Sequence, residues 1–280
     1  MLLTDKITAI YCLVDDLLKA CHHHTPDGCR CSDAEIITTA LVSALLFKGN
    51  QSLTIEYMRT HNMAPDLPLK SGFTKRLHRL AELLYSLFQQ MGAIIKELNC
   101  SGMYLLDSFP LAACHNIRIS RCKPTGSFGL FKGEAFRGFC ASKRQYFYGV
   151  KVQVITTAEG IPVECCFVPG SEHDSEAISQ LLWDFKAGDR IYDDSGYTCY
   201  AFEDIAADAG IDIRTARRKN TRRKDQPYEA FLKDHYRKHI ETAFSGITNL
   251  MPKALHAVTP KGFFIKALLF VMAFQFNQFL

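Results

Sequence analysis

The residues of this chain best suited to chemistry are carboxylates. Asp107 interrupts the short apolar run Met103 to Phe109, which ends at Pro110. Asp193 and Asp194 close a predicted strand that begins at Asp189, and Glu241 lies in a predicted long helix that starts near Tyr228. Acids at the exits of neighbouring strands share one edge of a sheet and so come together. Converging carboxylates repel one another unless a cation lies between them, and an all-oxygen ligand set suits Mg²⁺ or Mn²⁺. Two such ions about 3.5–4 Å apart activate a nucleophile and stabilise the leaving oxygen in phosphoryl transfer. Taken singly, each acid has a plainer reading. An Asp after a strand is ordinarily a turn or cap residue, and Glu241 on its own reads as a surface ion pair with Arg237 one helical turn earlier. Asp107 departs from this because Leu105, Leu106 and Phe109 surround it.

The elements that must position these acids follow from periodicity. Ser32-Asp33-Ala34-Glu35 is a capping box that opens a helix through Leu46. Leu77, Leu80, Leu84, Leu87, Phe88 and Met91, spaced by three and four, predict one helix from about Thr74 to Leu98. Met103 to Phe109 then reads as a buried strand. Tyr146 to Thr156 and Ile161 to Val168 read as a β-hairpin turning at Ala158-Glu159-Gly160. Asp174 or Ser171 caps a helix to about Phe185; a strand at Asp189 to Asp193, a helix at Tyr200 to Ala209, a strand at Ile211 to Arg214 and a long helix from Tyr228 complete the order. Strands and helices in this succession make an α/β fold, a mixed sheet covered by helices. The apolar last helix, Gly262 to Leu280, is expected to pack on that sheet, and self-association is a second use for it.

Composition narrows the class. With 280 residues, 48% of them hydrophobic and 22% charged, the chain buries a full core and is not a disordered segment. The net charge of +4 is unevenly spread. Arg214 to Lys224 carries seven basic residues and no acid, and Ala112 to Lys151 carries eight against the single Glu134. Two concentrated stretches point to a phosphate backbone rather than to a uniformly basic surface. The first emerges beside the proposed acids and is expected to contact DNA. In the second, Arg118 to Arg144, basic residues interleave with Phe128, Phe131, Phe136 and Phe139, which can stack on bases or fill a core. Gly72 to Arg79 reads either as a recognition helix or as a scaffold helix with a basic outer face. The eleven cysteines, together with an N-terminus whose apolar pattern carries acids instead of a secretory signal, suit a reducing cytoplasm. Cys21 to Cys31, with His22, His23 and His24, has zinc-ligand types but no second half at standard spacing, so a polar interhelical loop is the plainer reading. His173 and Asp174 fit either a place near the metals or helix capping.

Four strings carry a family resemblance: Leu106-Asp107-Ser108-Phe109-Pro110, Tyr148-Gly149-Val150-Lys151, Asp194-Ser195-Gly196-Tyr197 and Arg237-Lys238-His239-Ile240-Glu241-Thr242. In their order, with 86 residues between Asp107 and Asp194 and 46 between Asp194 and Glu241, they resemble DDE transposases of bacterial insertion sequences, most closely the insertion sequence 982 family. The resemblance runs from near Ser32 to the C-terminus. It implies a ribonuclease H-like mixed sheet flanked by helices and preceded by an all-helical N-terminal domain. Residues 1–98 would be the helical, DNA-binding domain and 99–280 the catalytic domain. It also implies Asp107, Asp194 and Glu241 as the catalytic and metal-holding triad, with two Mg²⁺ or Mn²⁺ ions; the Asp-x-Gly-Tyr pattern favours Asp194 over Asp193. The activity implied is cleavage at element ends and strand transfer into target DNA, with terminal inverted repeats and target DNA as partners of a homo-oligomer. The competing readings are a metal-dependent nuclease without strand transfer and a catalytically decayed DNA-binding protein. Expected DNA contacts are Arg214, Arg217, Arg218, Lys219, Arg222, Arg223, Lys224 and Arg237. Against the wider Tyr-Arg-Glu-Lys signature, Arg237 stands four before Glu241, but Tyr236 is two positions late and Thr248 occupies the basic place.

Overall fold

A computed structural model describes residues 2–115, 133–140, 144–181, 183–218 and 220–280, the side chains at 114 and 115 excepted. Phe128 and Phe131 of the aromatic-basic stretch, and Lys219 of the basic run, lie outside the described residues. In chain order the elements are α1 (Leu3–Ala20), α2 (Asp33–Leu46), α3 (Gln51–Thr60), α4 (Lys70–Arg79), α5 (Ala81–Leu98), β1 (Met103–His115), β2 (Arg137–Cys140), β3 (Gln145–Thr157), β4 (Pro162–Pro169), α6 (Asp174–Ala177), β5 (Arg190–Asp193), α7 (Tyr200–Asp208), β6 (Asp212–Thr215), α8 (Pro227–Leu250) and α9 (Pro260–Asn277). They divide into two compact units, Met1–Met91 with Gly246–Leu280, and Gly92–Ser245. Among the described residues no helix is long and apolar enough to cross a membrane.

The first unit is built around α2. Its capping box forms as expected: Ser32 Oγ accepts the Glu35 amide at 3.1 Å, and the Glu35 carboxylate accepts the Ser32 amide at 2.6 Å. Residues 33, 34 and 36–44 of this helix are all buried, so it is covered on every side, by α1, α3, α4 and α9. The last helix, expected to pack on the sheet, packs on α2 within the first unit. The reason is its own composition: Phe263, Ile265, Leu268, Phe270, Val271, Met272 and Phe276 are buried around its whole circumference, and a helix without a polar face needs a helical core around it. The helix expected from Thr74 to Leu98 is two helices that meet at Leu80, although its apolar positions are buried as the spacing required.

The second unit is a six-stranded sheet in the order β2-β3-β1-β5-β6, with β4 alongside the second half of β3 on the edge that β2 shares. β1 and β3 are antiparallel from Tyr104↔Thr157 to His115↔Phe147, while β5 lies parallel to β1 and β6 parallel to β5. Two expectations change here. Pro110 does not end β1, which continues to His115 opposite β3. Among the described residues the strand has no partner on its β5 side beyond Leu106, an edge position of the kind where proline is tolerated. The helix expected from Asp174 to Phe185 is a single turn followed by a 3-10 turn at Ile178–Gln180. Trp183 Nε1 donates to the Ile178 carbonyl at 2.7 Å, and the rings of Trp183 and Phe185 turn to Phe202 and Tyr104, which a continuing helix would prevent.

Helix α5 reaches this sheet through Gly92, where a Cβ would lie 2.1 Å from the Val163 carbonyl oxygen of β4. Four residues on, the buried ammonium of Lys96 donates to Glu164 of the same strand at 2.8 Å. Gly92→Ala should gain about 1 kcal/mol of helix propensity and lose more to overpacking, roughly 1–3 kcal/mol. The expected net outcome is a lower melting temperature; an unchanged or higher one would mean that α5 and β4 are not in this contact.

Candidate active site

Strand alternation sorts the acids. Asp107 shares a sheet face with Leu105, and the register Leu105↔Tyr192 puts Tyr192 on that face too. Asp194 lies two residues beyond Tyr192 and is still extended, with φ −83° and ψ 162°, so it belongs to the face of Asp107. Asp193 pairs in register with Leu106 and points to the opposite face. Helix α8 covers the Asp107 face: the rings of Tyr192 and Tyr236 are 4.5 Å apart, and those of Phe109 and Phe244 are 5.0 Å apart. Between sheet and helix lies a cleft with about 40 Å³ of solvent space, bordered by Asp107, Asp194, Tyr236 and Arg237. That is room for a few waters or ions and not for an organic ligand.

Each of the two aspartates spends one oxygen locally. Asp107 Oδ1 accepts the Ser108 amide at 2.7 Å, and Asp194 Oδ1 accepts the Ser195 amide at 2.6 Å. Arg237 stands between Asp194, 3.9 Å away, and Glu241, 3.4 Å away. Glu241 is exposed and does not border the cleft; Arg237 joins it to the aspartates. Among the described residues no three His, Cys, Asp or Glu side chains gather as a metal site. Burial pushes the Asp107 carboxyl up to about 7, and the charges of Asp194 and Asp174 act in the same direction, against the Ser108 amide and Arg237. Burial also pushes Asp193 up to about 8, with Glu203 adding to it. The Thr215 hydroxyl, Arg217 and Lys233 oppose that rise, yet among the described residues neither Asp193 oxygen has a partner at ordinary hydrogen-bond geometry.

A partly buried polar network that the sequence did not suggest supports this edge. Asp174 Oδ1 accepts from Ser108 Oγ at 3.1 Å, Lys151 Nζ at 3.1 Å and Gln153 Nε2 at 3.0 Å. The Tyr197 hydroxyl donates to Gln153 Oε1, tying the Asp-Ser-Gly-Tyr turn to β3. Gly196 permits the approach: a Cβ there would be 3.3 Å from Asp174 Oδ2. The expectation that Asp174 caps its helix is thereby corrected. His173 occupies the cap position without a side-chain hydrogen bond, and the Asp174 carboxylate faces the sheet. Lys151 and Tyr197 stood within strings already singled out, whereas nothing in the local sequence marked Gln153 as their partner.

The basic run divides into two sets. Arg217 forms a bidentate pair with the buried Glu203 at 2.8 and 2.6 Å, and Arg223 reaches Glu203 at 3.2 Å and Asp204 at 2.9 Å. Both guanidinium groups lie over the ring of Tyr200, and Arg214 is held by Asp212 and Glu229. Arg214 and Arg217 are partly buried and Arg223 is exposed, and all three are held by carboxylates. Arg218, Arg222 and Lys224 are exposed, with Arg218 only loosely tied to Ser195 Oγ at 3.3 Å. In the aromatic-basic stretch Phe139 and Tyr146 form an exposed ring pair at 4.9 Å, with Arg137 over Tyr146. Two of the zinc-type residues of the α1–α2 loop have other partners, His23 with Asp33 at 2.9 Å and Cys21 with Gln90, while burial raises the Cys31 thiol to about 12.

Residues 97–256, more than half of the chain and spanning Asp107, Asp194 and Glu241, match the family described as transposase DDE domain. No curated protein and no solved structure matches the chain. A match of this extent, over the part of the chain that carries the sheet and its carboxylate edge, places the protein in that family: the chain belongs to the transposase DDE domain family.

Proposed function

We propose that Asp107, Asp194 and Glu241 are the catalytic triad of a ribonuclease H-like domain that cleaves DNA at element ends and joins the freed 3′ end to target DNA. The observation that carries this reading is the shared face of Asp107 and Asp194 beneath α8, with Arg237 linking Asp194 to Glu241. The antiparallel β4-β3-β1 half followed by parallel β5 and β6 supports the fold assignment. The carboxylates fit a hard divalent cation. Their donors are all oxygen, the charge of Asp194 adds to the cost of ionising Asp107, and each of the two aspartates accepts its local amide with one oxygen only. They would hold the ion, with Glu241 completing the set. When bound, Mg²⁺ or Mn²⁺, in the proposal as two ions, supplies activation of the attacking oxygen and charge stabilisation of the leaving oxygen.

The chain's own residues do the rest. The Asp174 network holds the turn that carries Asp194 against β3, and Arg237 neutralises Asp194 and Glu241 until a cation and a phosphate displace it. In the first step water attacks a phosphodiester at the element end and frees a 3′-hydroxyl. In the second, that hydroxyl attacks a target phosphodiester, whose own 3′ oxygen departs. Arg218, Arg222, Lys224 and Arg237 are the proposed DNA contacts at this edge, the helices ahead of β1 are the proposed DNA-end binding part, and assembly as a homo-oligomer on DNA belongs to the same reading.

With Mg²⁺ present, Asp107→Asn, Asp194→Asn and Glu241→Gln should each abolish nicking and joining of a labelled duplex while leaving duplex binding nearly intact, because each amide keeps the shape and removes the anionic ligand. Asp193→Asn, on the opposite face, should keep most activity. A dead Asp193→Asn beside an active Asp194→Asn would reverse the assignment of the second acid, and products that are nicked but never joined would leave a nuclease.

In chelator the raised Asp107 carboxyl makes the folded chain hold a proton that the unfolded chain, with its ordinary value of 3.8, has already lost. Stability should therefore fall as pH rises from about 4 through about 7. Asp107→Asn should flatten that fall and melt higher than the parent at pH 8. Parallel melting curves at every pH would deny that this carboxyl is strained.

The two sets of basic residues should respond differently to substitution. Arg218→Gln, Arg222→Gln and Lys224→Gln together should lower the salt slope of duplex binding by up to about 3, at about 0.9 per phosphate contact on duplex DNA. Arg217→Ala should instead cost stability, roughly 3 kcal/mol, by leaving Glu203 buried without its guanidinium. A salt slope unchanged in the first variant would make that run a solvated loop.

A further inference from the structure

In the first compact unit, α4 and the start of α9 bring cationic side chains together. Lys70, Ser71, Thr74, Lys75 and His78 line a groove along α4. Thr259 caps α9, its Oγ1 accepting the Gly262 amide at 3.1 Å. Gly262 lets this end of α9 close on α4, since a Cβ there would lie 3.2 Å from His78 Nε2. Lys261 and Lys266 therefore stand beside the groove. Their charges act on one another: burial pushes the His78 imidazole down and both lysines push it further, while burial and then Lys70 push the Lys266 ammonium down. Neither helix contains an Asp or Glu. Arg76 is turned inward to Asp33 and the Cys31 carbonyl, and Lys266 donates to the His256 carbonyl. Lys70, Lys75 and Lys261 are exposed and have no ion-pair partner among the described residues.

We propose that Lys70 and Lys75 of α4 and Lys261 of α9, with the Ser71 and Thr74 hydroxyls between them, form a contact for the phosphate backbone of duplex DNA, additional to the basic run after β6. The inference rests on the reading of this chain as a protein that acts on DNA and assigns part of that binding to a surface shared by an N-terminal and the C-terminal helix. Like charges held together without a carboxylate favour a polyanion, and hydroxyls beside ammonium groups suit phosphate oxygens. A contact made only to phosphates adds affinity without reading sequence.

The test uses the full chain and a linear duplex of arbitrary sequence, with binding measured from 50 to 300 mM KCl. The triple variant Lys70→Gln, Lys75→Gln, Lys261→Gln should bind more weakly at every salt concentration, with a slope lower by about 2 to 3. The corresponding triple Lys→Arg variant should bind like the parent. If the triple Gln variant melts early, Lys75→Gln and Lys261→Gln alone should each lower the slope by about 1. A parent that binds duplex and a Gln variant with the same affinity and slope would overturn the patch while leaving the DNA reading in place. A parent that binds no duplex at all would overturn that reading and the patch with it. Binding to phosphatidylglycerol vesicles that only the Gln variant loses, with duplex binding unchanged, would assign the patch to a membrane surface and overturn the proposal.

Discussion

Placing two carboxylates on one face of a sheet is the constraint around which the second unit is arranged. β1 and β5 run parallel and in register, so the residue following Leu106 and the one following Asp193 reach the same end of the sheet. A displacement of either strand by one residue would put Asp107 and Asp194 on opposite faces. The cost of the arrangement shows in Asp107, whose carboxyl is pushed up to about 7 by burial and then by its acidic neighbours. The interactions that oppose this cost are few: one backbone amide for each aspartate, and one guanidinium between Asp194 and Glu241.

That imbalance contrasts with the supporting network, whose partly buried groups are paired with one another. Asp174 receives Ser108, Lys151 and Gln153, and Tyr197 completes Gln153, so the polar groups behind the cleft are satisfied and rigid. In front, Asp107 and Asp194 have unused oxygens and Glu241 is exposed. Rigidity behind and unmet ligand capacity in front is what a site needs if it is to receive a cation and a phosphate without reorganising its scaffold.

How much could be read from the sequence depended on the range of the interactions. The capping box of α2, the hairpin turning at Gly160 and the short strands before Asp193 and at Ile213 are local in cause, and periodicity and turn chemistry located them. The continuation of β1 past Pro110 was not legible, because it depends on which neighbour β1 lacks beyond Leu106. The early end of α6 was not legible either, since Trp183 and Phe185 are drawn to rings distant in sequence. The face of each acid was half legible: alternation separates Asp193 from Asp194 in any strand, but only the register with β1 tells which of them shares a face with Asp107. The Asp174 network, assembled from four separate segments, left no pattern that any one of them could display.

The arginines show why a count of charge misleads about binding. Arg214 to Lys224 looks like a continuous polyanion site, yet Arg214, Arg217 and Arg223 are held by Asp212, Glu229, Glu203 and Asp204. Those carboxylates lie outside the run and offset the charge of the three arginines they hold. A guanidinium bound in a fork to a buried carboxylate is costly to withdraw, so it supplies structure to the end of β6 and not a mobile hand for phosphate. Lysines on α4 and α9 have the opposite character, with less local density in the sequence and, among the described residues, no carboxylate paired with them. Electrostatic attraction for a backbone follows the charge left after internal pairing, and by that measure the dispersed lysines count for more than their spacing along the chain suggests.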